Sequence, residues 1–328
     1  ALVETMISNY NINQTEFIKC VKKVDIVIQF DGDIWGDNAD FIGEDRFLVG
    51  LLKSVVLQSW NKNVYMIAGS PGPFKKYTFM LPLIKKIYNN FKVVTNREPI
   101  SSCKLKELDF QLENTFTLPC PSFLFQSNIP EKKIEDILEK ENLLAISKDS
   151  AIKLVGFVLC GWNMPEGPYN KTKRDNTEFQ EFIKFITYLL EHYDDIHIVF
   201  LSHNNAFEKE PFKLIHGRDF KIVYQLYNLL VSLKIPNIHK ITLLKDVYTA
   251  HETKGIINKM DFMISGRLHG CVGALTNYIP TLMIKYNNGP PSHKLEGFSE
   301  FLELQSYISK PYYEEMKELW ELLLQNNN

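Results

Sequence analysis

The sequence predicts an α/β fold in two domains, and three observations carry that expectation. Short apolar runs alternate with amphipathic helical stretches along the chain, the pattern of parallel strands joined by crossover helices. The alternation is interrupted by Thr117-Leu-Pro-Cys-Pro-Ser-Phe123, with its two prolines, and resumes after a charged helical stretch over 130–142. At 328 residues the chain is also long for a single hydrophobic core. Domains of 1–145 and 146–328 follow, with the boundary drawn within 143–151.

In the first domain, strands are expected at Asp25-Ile-Val-Ile-Gln-Phe30, Val64-Tyr-Met-Ile-Ala68 and Phe91-Lys-Val-Val-Thr95. Helices fall around 46–60 and 78–89. Ser101 can cap a further helix through Cys103-Lys-Leu-Lys-Glu-Leu108. The second domain opens with strand Ile152-Lys-Leu-Val-Gly-Phe-Val-Leu159, then helix 176–193 and strand Ile196-His-Ile-Val-Phe-Leu201. Helix 218–233, strand Lys240-Ile-Thr-Leu243 and helix 248–259 come next. A strand from Phe262 to Ile264, a helix opening near Gly270 and strand Thr281-Leu-Met-Ile-Lys285 complete the alternation. The last helix, Tyr312 to Leu324, is expected to pack back on the first domain. Two such units facing each other would line a cleft with strand carboxyl ends, where open α/β sheets keep ligands.

Composition narrows the function. The 37 basic and 39 acidic residues leave a net charge of −2 with no long basic block, which argues against a nucleic-acid or membrane-surface binder. No run of about 18 apolar residues occurs, so no membrane span is expected within these residues. The cysteines lack C-x-x-C spacing and number five, which fits neither a zinc knuckle nor a fully paired disulfide framework. Asp31-Gly-Asp33 is a D-x-D after a strand, a pattern of oxygen ligands suited to a divalent cation. Two acidic residues at a turn serve as well for capping, and no metal is expected. Ala68-Gly-Ser-Pro-Gly72 lacks the leading glycine of a nucleophile elbow and suits a plain turn better. Trp35 and Trp162 follow strands; burial outweighs a sugar-stacking role for each. His197 lies within a strand, and His192, His216, His239, His251 and His293 show no metal-ligand spacing.

The most informative segment is Met260 to Pro280, a buried apolar strand followed by a turn and a helix. Arg267 and His269 sit on the turn, where an Arg, a His and helix-terminal N–H groups can converge on one anion. Gly266 and Gly270 flank the pair and allow a sharp turn close to a ligand. Arg97 and Glu98 follow a strand in the first domain, and His203 follows one in the second, so all three are expected at the cleft edge.

Ser265-Gly-Arg-Leu-His-Gly270, with Ala274-Leu275 and Pro280 behind it, resembles the signature of the polysaccharide pyruvyl transferase family. The resemblance extends over most of the chain. Asp25 to Asp33 is similar to that family's first strand and turn, and Ala68-Gly-Ser-Pro-Gly-Pro-Phe74 to its second. Thr95-Asn-Arg-Glu-Pro-Ile-Ser101 is similar to its arginine-acid-x-x-serine element, and Pro119-Cys-Pro-Ser-Phe123 to its break before the second domain. Two departures stand out. The first turn has Phe30-Asp-Gly-Asp-Ile-Trp-Gly36 where the family usually runs glycines. Asn287 to Lys294 holds an insertion before the expected lysine, so Lys294, or else Lys285, is its equivalent.

The resemblance implies two Rossmann-like domains in a GT-B-like glycosyltransferase architecture, with the acceptor on the first domain and the donor on the second. It implies transfer of a carboxyethylidene group from phosphoenolpyruvate, as donor substrate with no cofactor, to sugar hydroxyls of a galactose-containing glycan or polysaccharide. Phosphoenolpyruvate carries a carboxylate and a phosphate, and arginine binds either bidentately. Arg267 with Lys294 is expected to take the phosphate, Arg97 the carboxylate. His269 is expected to act as the acid or to orient the phosphate, and Glu98 to take a proton from the attacking hydroxyl. Ser265, Leu268, Gly270, Gly32, Asp33, Ser70, Ser101 and His203 complete the expected substrate contacts.

A nucleotide-sugar-dependent GT-B glycosyltransferase is the alternative, and a non-enzymatic saccharide-binding protein a further one. The start at Ala1 and the sequons Asn13-Gln-Thr15 and Asn170-Lys-Thr172 lean toward a yeast-type Golgi enzyme, lumenal through an N-terminal anchor outside these residues. A bacterial cytoplasmic enzyme is the other location.

Overall fold

The computed structural model describes residues 16–30, 32–60, 63–165, 174–208, 212–287 and 293–327. Two compact units emerge, Ala1–Cys120 and Pro121–Asn328, divided at the proline-flanked Cys120. Residues 121–145, which the sequence reading placed in the first domain, thus belong to the second.

The first unit begins with α1 (Glu16–Lys23) and β1 (Ile26–Phe30). Then come α2 (Arg46–Ser59), β2 (Asn63–Gly69), α3 (Leu81–Asn89), β3 (Val94–Asn96), α4 (Pro99–Glu107) and β4 (Thr115–Thr117). The four strands form one parallel sheet in the order β1-β2-β3-β4. β4 is three residues long and half-exposed, too short for its apolar pattern to register in the sequence. Aromatic packing fills the core: Trp35 is buried against Phe47, Phe74, Tyr88 and Phe91, with ring centroids 5.3–6.2 Å apart. Trp35 is therefore a core residue.

The second unit opens with α5 (Glu131–Lys140) and the short α6 (Leu144–Ser147). The charged look of α5 hides an apolar stripe: Ile134, Ile137 and Leu138 bury themselves with Leu154, Val158 and Ile256. That stripe at helical spacing needs a partner face and finds it here, which is why the helix goes with this unit. β5 (Lys153–Val158), α7 (Gln180–His192) and β6 (Ile196–Phe200) follow. A short antiparallel hairpin, β7 (Asn205–Phe207) with β8 (Leu214–His216), was not foreseen. Next come α8 (Arg218–Ser232), β9 (Ile241–Leu243), α9 (Ala250–Ile257), β10 (Phe262–Ser265), α10 (Leu268–Leu275) and β11 (Thr281–Ile284). α11 (His293–Phe301), β12 (Ile308–Ser309) and α12 (Tyr313–Gln325) close the chain.

Six parallel strands make the second sheet, in the order β12-β11-β10-β5-β6-β9. Its central strands are buried at every position of β6, β10 and β11, the continuous apolar reading of a sheet covered on both faces. The last helix, expected to return to the first domain, buries Met316, Trp320 and Leu323 in the core of the second. Trp320 lies 5.4 Å from the Phe262 ring of β10. Register aligns Ser265 of β10 with Val158 of β5 and Met283 of β11, so the loops after these strands leave the sheet side by side.

Candidate active site

The turn from β10 to α10 is built to hold one guanidinium. Gly266 donates its N–H to the Val158 carbonyl at 2.8 Å, which keeps the chain in the sheet for one residue more. A Cβ on Gly266 would come within 2.0 Å of the Asn163 side chain, so only glycine fits. Asn163, fully buried, accepts from Cys160 N at 2.8 Å and donates to the Ile284 carbonyl at 3.0 Å. One amide therefore ties the loops after β5 and β11 around the β10 turn. The Ser265 hydroxyl accepts from Arg267 N at 3.2 Å, and a Cβ on Gly270 would meet that hydroxyl at 2.5 Å. Ser265 and Gly270 are thus fixed by the turn itself, and Leu268 points into a buried cluster with Cys271 and Tyr286.

Arg267 is the N-cap residue of α10. Its Nε donates to Asp219 Oδ2 at 2.8 Å and its Nη2 donates to Asp219 Oδ1, a two-pronged pair. Asp219, in the first turn of α8, is fully buried and also accepts a backbone hydrogen bond from Asn204. Burial pushes the Asp219 carboxyl up, against the pull of Arg267. Burial, the largest influence, opposes the Arg267 charge as well, but Asp219, Cys160 and Tyr286 together hold the guanidinium well above its usual value. Lys294 of α11 is buried, lies over the Tyr286 ring at 4.8 Å, and is near enough to Asp219 and Cys160 to act on both electrostatically. Lys285, the other candidate for that role, pairs with Glu296 at 2.6 Å.

His269 follows in the first turn of α10 with an exposed side chain. It lines a cavity of about 410 Å³ within the second unit, together with His203, Tyr248, Phe125 and Lys254. Burial, then the nearby Arg267, push His203 down to about 4, so it is a neutral imidazole at neutral pH. Cys271 is pushed up to about 12 by burial, which leaves it inert as a nucleophile.

The other expected residues meet in the first unit, at the carboxyl ends of β2 and β3. Arg97 is buried and its Nε donates to Ser70 Oγ at 2.9 Å. Gly32 takes a left-handed φ of +56° beneath it, with a Cβ position 4.0 Å from both terminal Arg97 nitrogens. Asp33 is half-buried on the same turn; Asp31 lies outside the described residues. Ser101 does not cap the following helix. Glu98 does, accepting from Ser101 N at 2.9 Å and from the Ser101 hydroxyl, and the helix starts at Pro99. Proline at the first helical position loses nothing there, because its missing N–H would have had no intrahelical partner. No metal-ligating cluster occurs among the described residues.

Glu98 is fully buried, and burial raises its carboxyl to about 7 against the hydrogen bonds from Ser101 and the charge of Arg97. Its folded pKa is above the unfolded value, so the folded state holds the extra proton. Stability from this group is complete below the ordinary carboxylate range and is lost as pH rises through about 7. Glu98→Gln is expected to flatten that loss, measured as urea midpoints across pH 5 to 8. Equal slopes in the two proteins would remove Glu98 as its source.

Asp219, Asn163 and Lys254 were not anticipated. An acidic residue opening a helix reads in sequence as a dipole partner, and no local signal joins it to an arginine 48 positions later.

Two Rossmann-like units, each built on a parallel sheet, give the chain the GT-B fold. Solved structures agree on that fold. UDP-GlcNAc 2-epimerase of Methanocaldococcus jannaschii matches at a TM-score of 0.52 and 13% identity, over 98% of this chain and 81% of that one. Anabaena Alr3699/HepE in complex with UDP matches at 0.55 and 11% identity, over 99% and 80%. A putative UDP-N-acetylglucosamine 2-epimerase from Listeria monocytogenes matches at 0.54 and 12%, over 100% and 78%. No curated protein sequence matches the chain. The model of the polysaccharide pyruvyl transferase family matches residues 4–288, and the chain belongs to that family. It is a transferase that acts in pyruvyl transfer to polysaccharide, and no helix among its described residues is long and apolar enough to cross a membrane.

Proposed function

We propose that the enzyme moves the carboxyethylidene group of phosphoenolpyruvate onto two hydroxyls of a sugar residue, galactose in a glycan being our assignment. One observation carries the reading. The family's Arg-Leu-His turn sets a guanidinium, oriented on two nitrogens by buried Asp219, at the amino end of α10 beside the exposed His269. A donor phosphate suits that place, where helix-terminal N–H groups and a fixed cation both favour negative charge. Lys294 adds a second positive charge near Asp219. To Arg97, in the first unit, we assign a carboxylate.

His269 delivers a proton to the methylene carbon, which becomes the methyl group and leaves cationic character at the enol carbon. A sugar hydroxyl adds there. The C–O bond to phosphate then breaks, Arg267 and Lys294 stabilising the charge on the leaving group. The second hydroxyl closes the ketal. One hydroxyl proton replaces the one given to carbon and the other leaves with phosphate, so no oxidant, reductant or cofactor is assigned. Glu98, with both oxygens on Ser101, fits the role of helix cap better than that of base.

The test is phosphate release from phosphoenolpyruvate that depends on an added galactoside and is matched by pyruvylated product in the mass spectrum. Release of UDP from UDP-galactose instead would favour the alternative, nucleotide-sugar glycosyl transfer, to which the likeness to a UDP-bound structure points. Galactoside binding with neither donor consumed would leave a saccharide-binding protein. A Golgi-lumenal location belongs to the same proposal, with bacterial cytoplasm as its rival. Asn13 and Asn170 lie outside the described residues, and glycans on them in native material would decide between the two.

A further inference from the structure

The cavity beside His269 runs along α10, which lines it at His269, Val272 and Gly273. Lys254 of α9, which is 4% exposed, lines it as well. The Lys254 ammonium donates to the Thr276 hydroxyl at the C-cap of α10, and among the described residues no carboxylate pairs with it. Among the described residues, none that lines the cavity is an Asp or a Glu. A buried ammonium held by one neutral hydroxyl and the carbonyl end of a short helix is under-compensated, because burial penalises a charge that lacks a counter-charge. Burial, the only cause acting on it, lowers its pKa. Phe125, Phe207 and Tyr248 add flat apolar faces and Asn205 an amide, groups that suit a pyranose ring. The lining along α10 runs from His269 to Gly273, a rise of roughly 6 Å, about the span of a pyranose ring.

Resting on the transfer reading above, we propose that this cavity is an acceptor subsite for an anionic saccharide: the sugar lies along α10, its reacting hydroxyls toward His269 and a phosphate or carboxylate substituent on Lys254. A neutral sugar would leave the ammonium uncompensated, and a free phosphate would leave the aromatic faces empty. The two sources of the anion, a sugar phosphate and a uronate, share the chemistry that Lys254 recognises.

Equilibrium binding without donor tests it, so a failed transfer assay and a failed binding assay remain distinguishable. The probes are galactose 1-phosphate, galacturonate, methyl galactoside and inorganic phosphate, each followed by calorimetry. At least one of the two anionic sugars is expected to bind about tenfold or more tightly than methyl galactoside and than inorganic phosphate. Which of the two does so identifies the source. Lys254→Met is expected to bring that sugar down to the level of the galactoside, and Lys254→Arg to retain most of the preference. In the wild-type protein the preferred sugar is expected to protect Lys254 from reductive methylation, read by peptide mass, a measurement that stands even where Lys254→Met does not fold. Equal binding of neutral and anionic sugars, an undiminished preference in a folded Lys254→Met, inorganic phosphate binding as tightly as the sugars, or no protection of Lys254 would each overturn the proposal.

Discussion

Asp219→Ala is expected to lose about 3–5 kcal/mol of stability, because it strips the partner from an arginine whose charge is largely buried. Acceptor-dependent phosphate release is expected to fall with it by about 10³-fold, since a guanidinium without its two-point anchor no longer meets the leaving phosphate in one orientation. The two effects are separable. Asp219→Asn keeps the shape and one hydrogen bond while removing the charge, so it should recover part of the stability and less of the rate. Urea midpoints and turnover on the same preparations check this. An Asp219→Ala enzyme as stable as wild type would mean that Arg267 is not held through this pair.

His269→Ala gives the opposite pattern. The side chain is exposed, so the urea midpoint should hardly move, within about 0.5 kcal/mol. Turnover should fall by about 10²–10⁴, the usual worth of a positioned proton donor. The acidic or basic limb of the pH–rate profile that belongs to an imidazole should vanish with it. His203 serves as a control, because its imidazole is pushed down to about 4 and stays neutral where His269 is asked to work. A His269→Ala enzyme of near-normal turnover would move the proton donor elsewhere. Read together, the two substitutions separate a residue that holds the site from one that works in it.

Much of this is legible in the sequence. The β10 strand, its turn and α10 could be read because a buried run, two glycines and an Arg-x-His each speak through local chemistry. The sequence marks Glu98 as a site residue and offers Ser101, three positions on, as the helix cap. Serine is the commoner N-cap, and only the start of α4 at Pro99 hands the role to Glu98. The 121–145 segment was misplaced for a similar reason: α5 looks like a charged linker until Ile134, Ile137 and Leu138 find their partners.

The sequence by itself determined the alternating parallel architecture, the family, and the turn that bears Arg267 and His269, because periodicity and motif are properties of neighbours along the chain. Tertiary structure alone decided that Asp219 anchors Arg267, that Asn163 locks three loops at one sheet edge, and that Lys254 and His269 line one cavity. Those pairings join residues 15 to 121 positions apart. Burial makes each of them count, and burial is not a property of any short stretch of sequence.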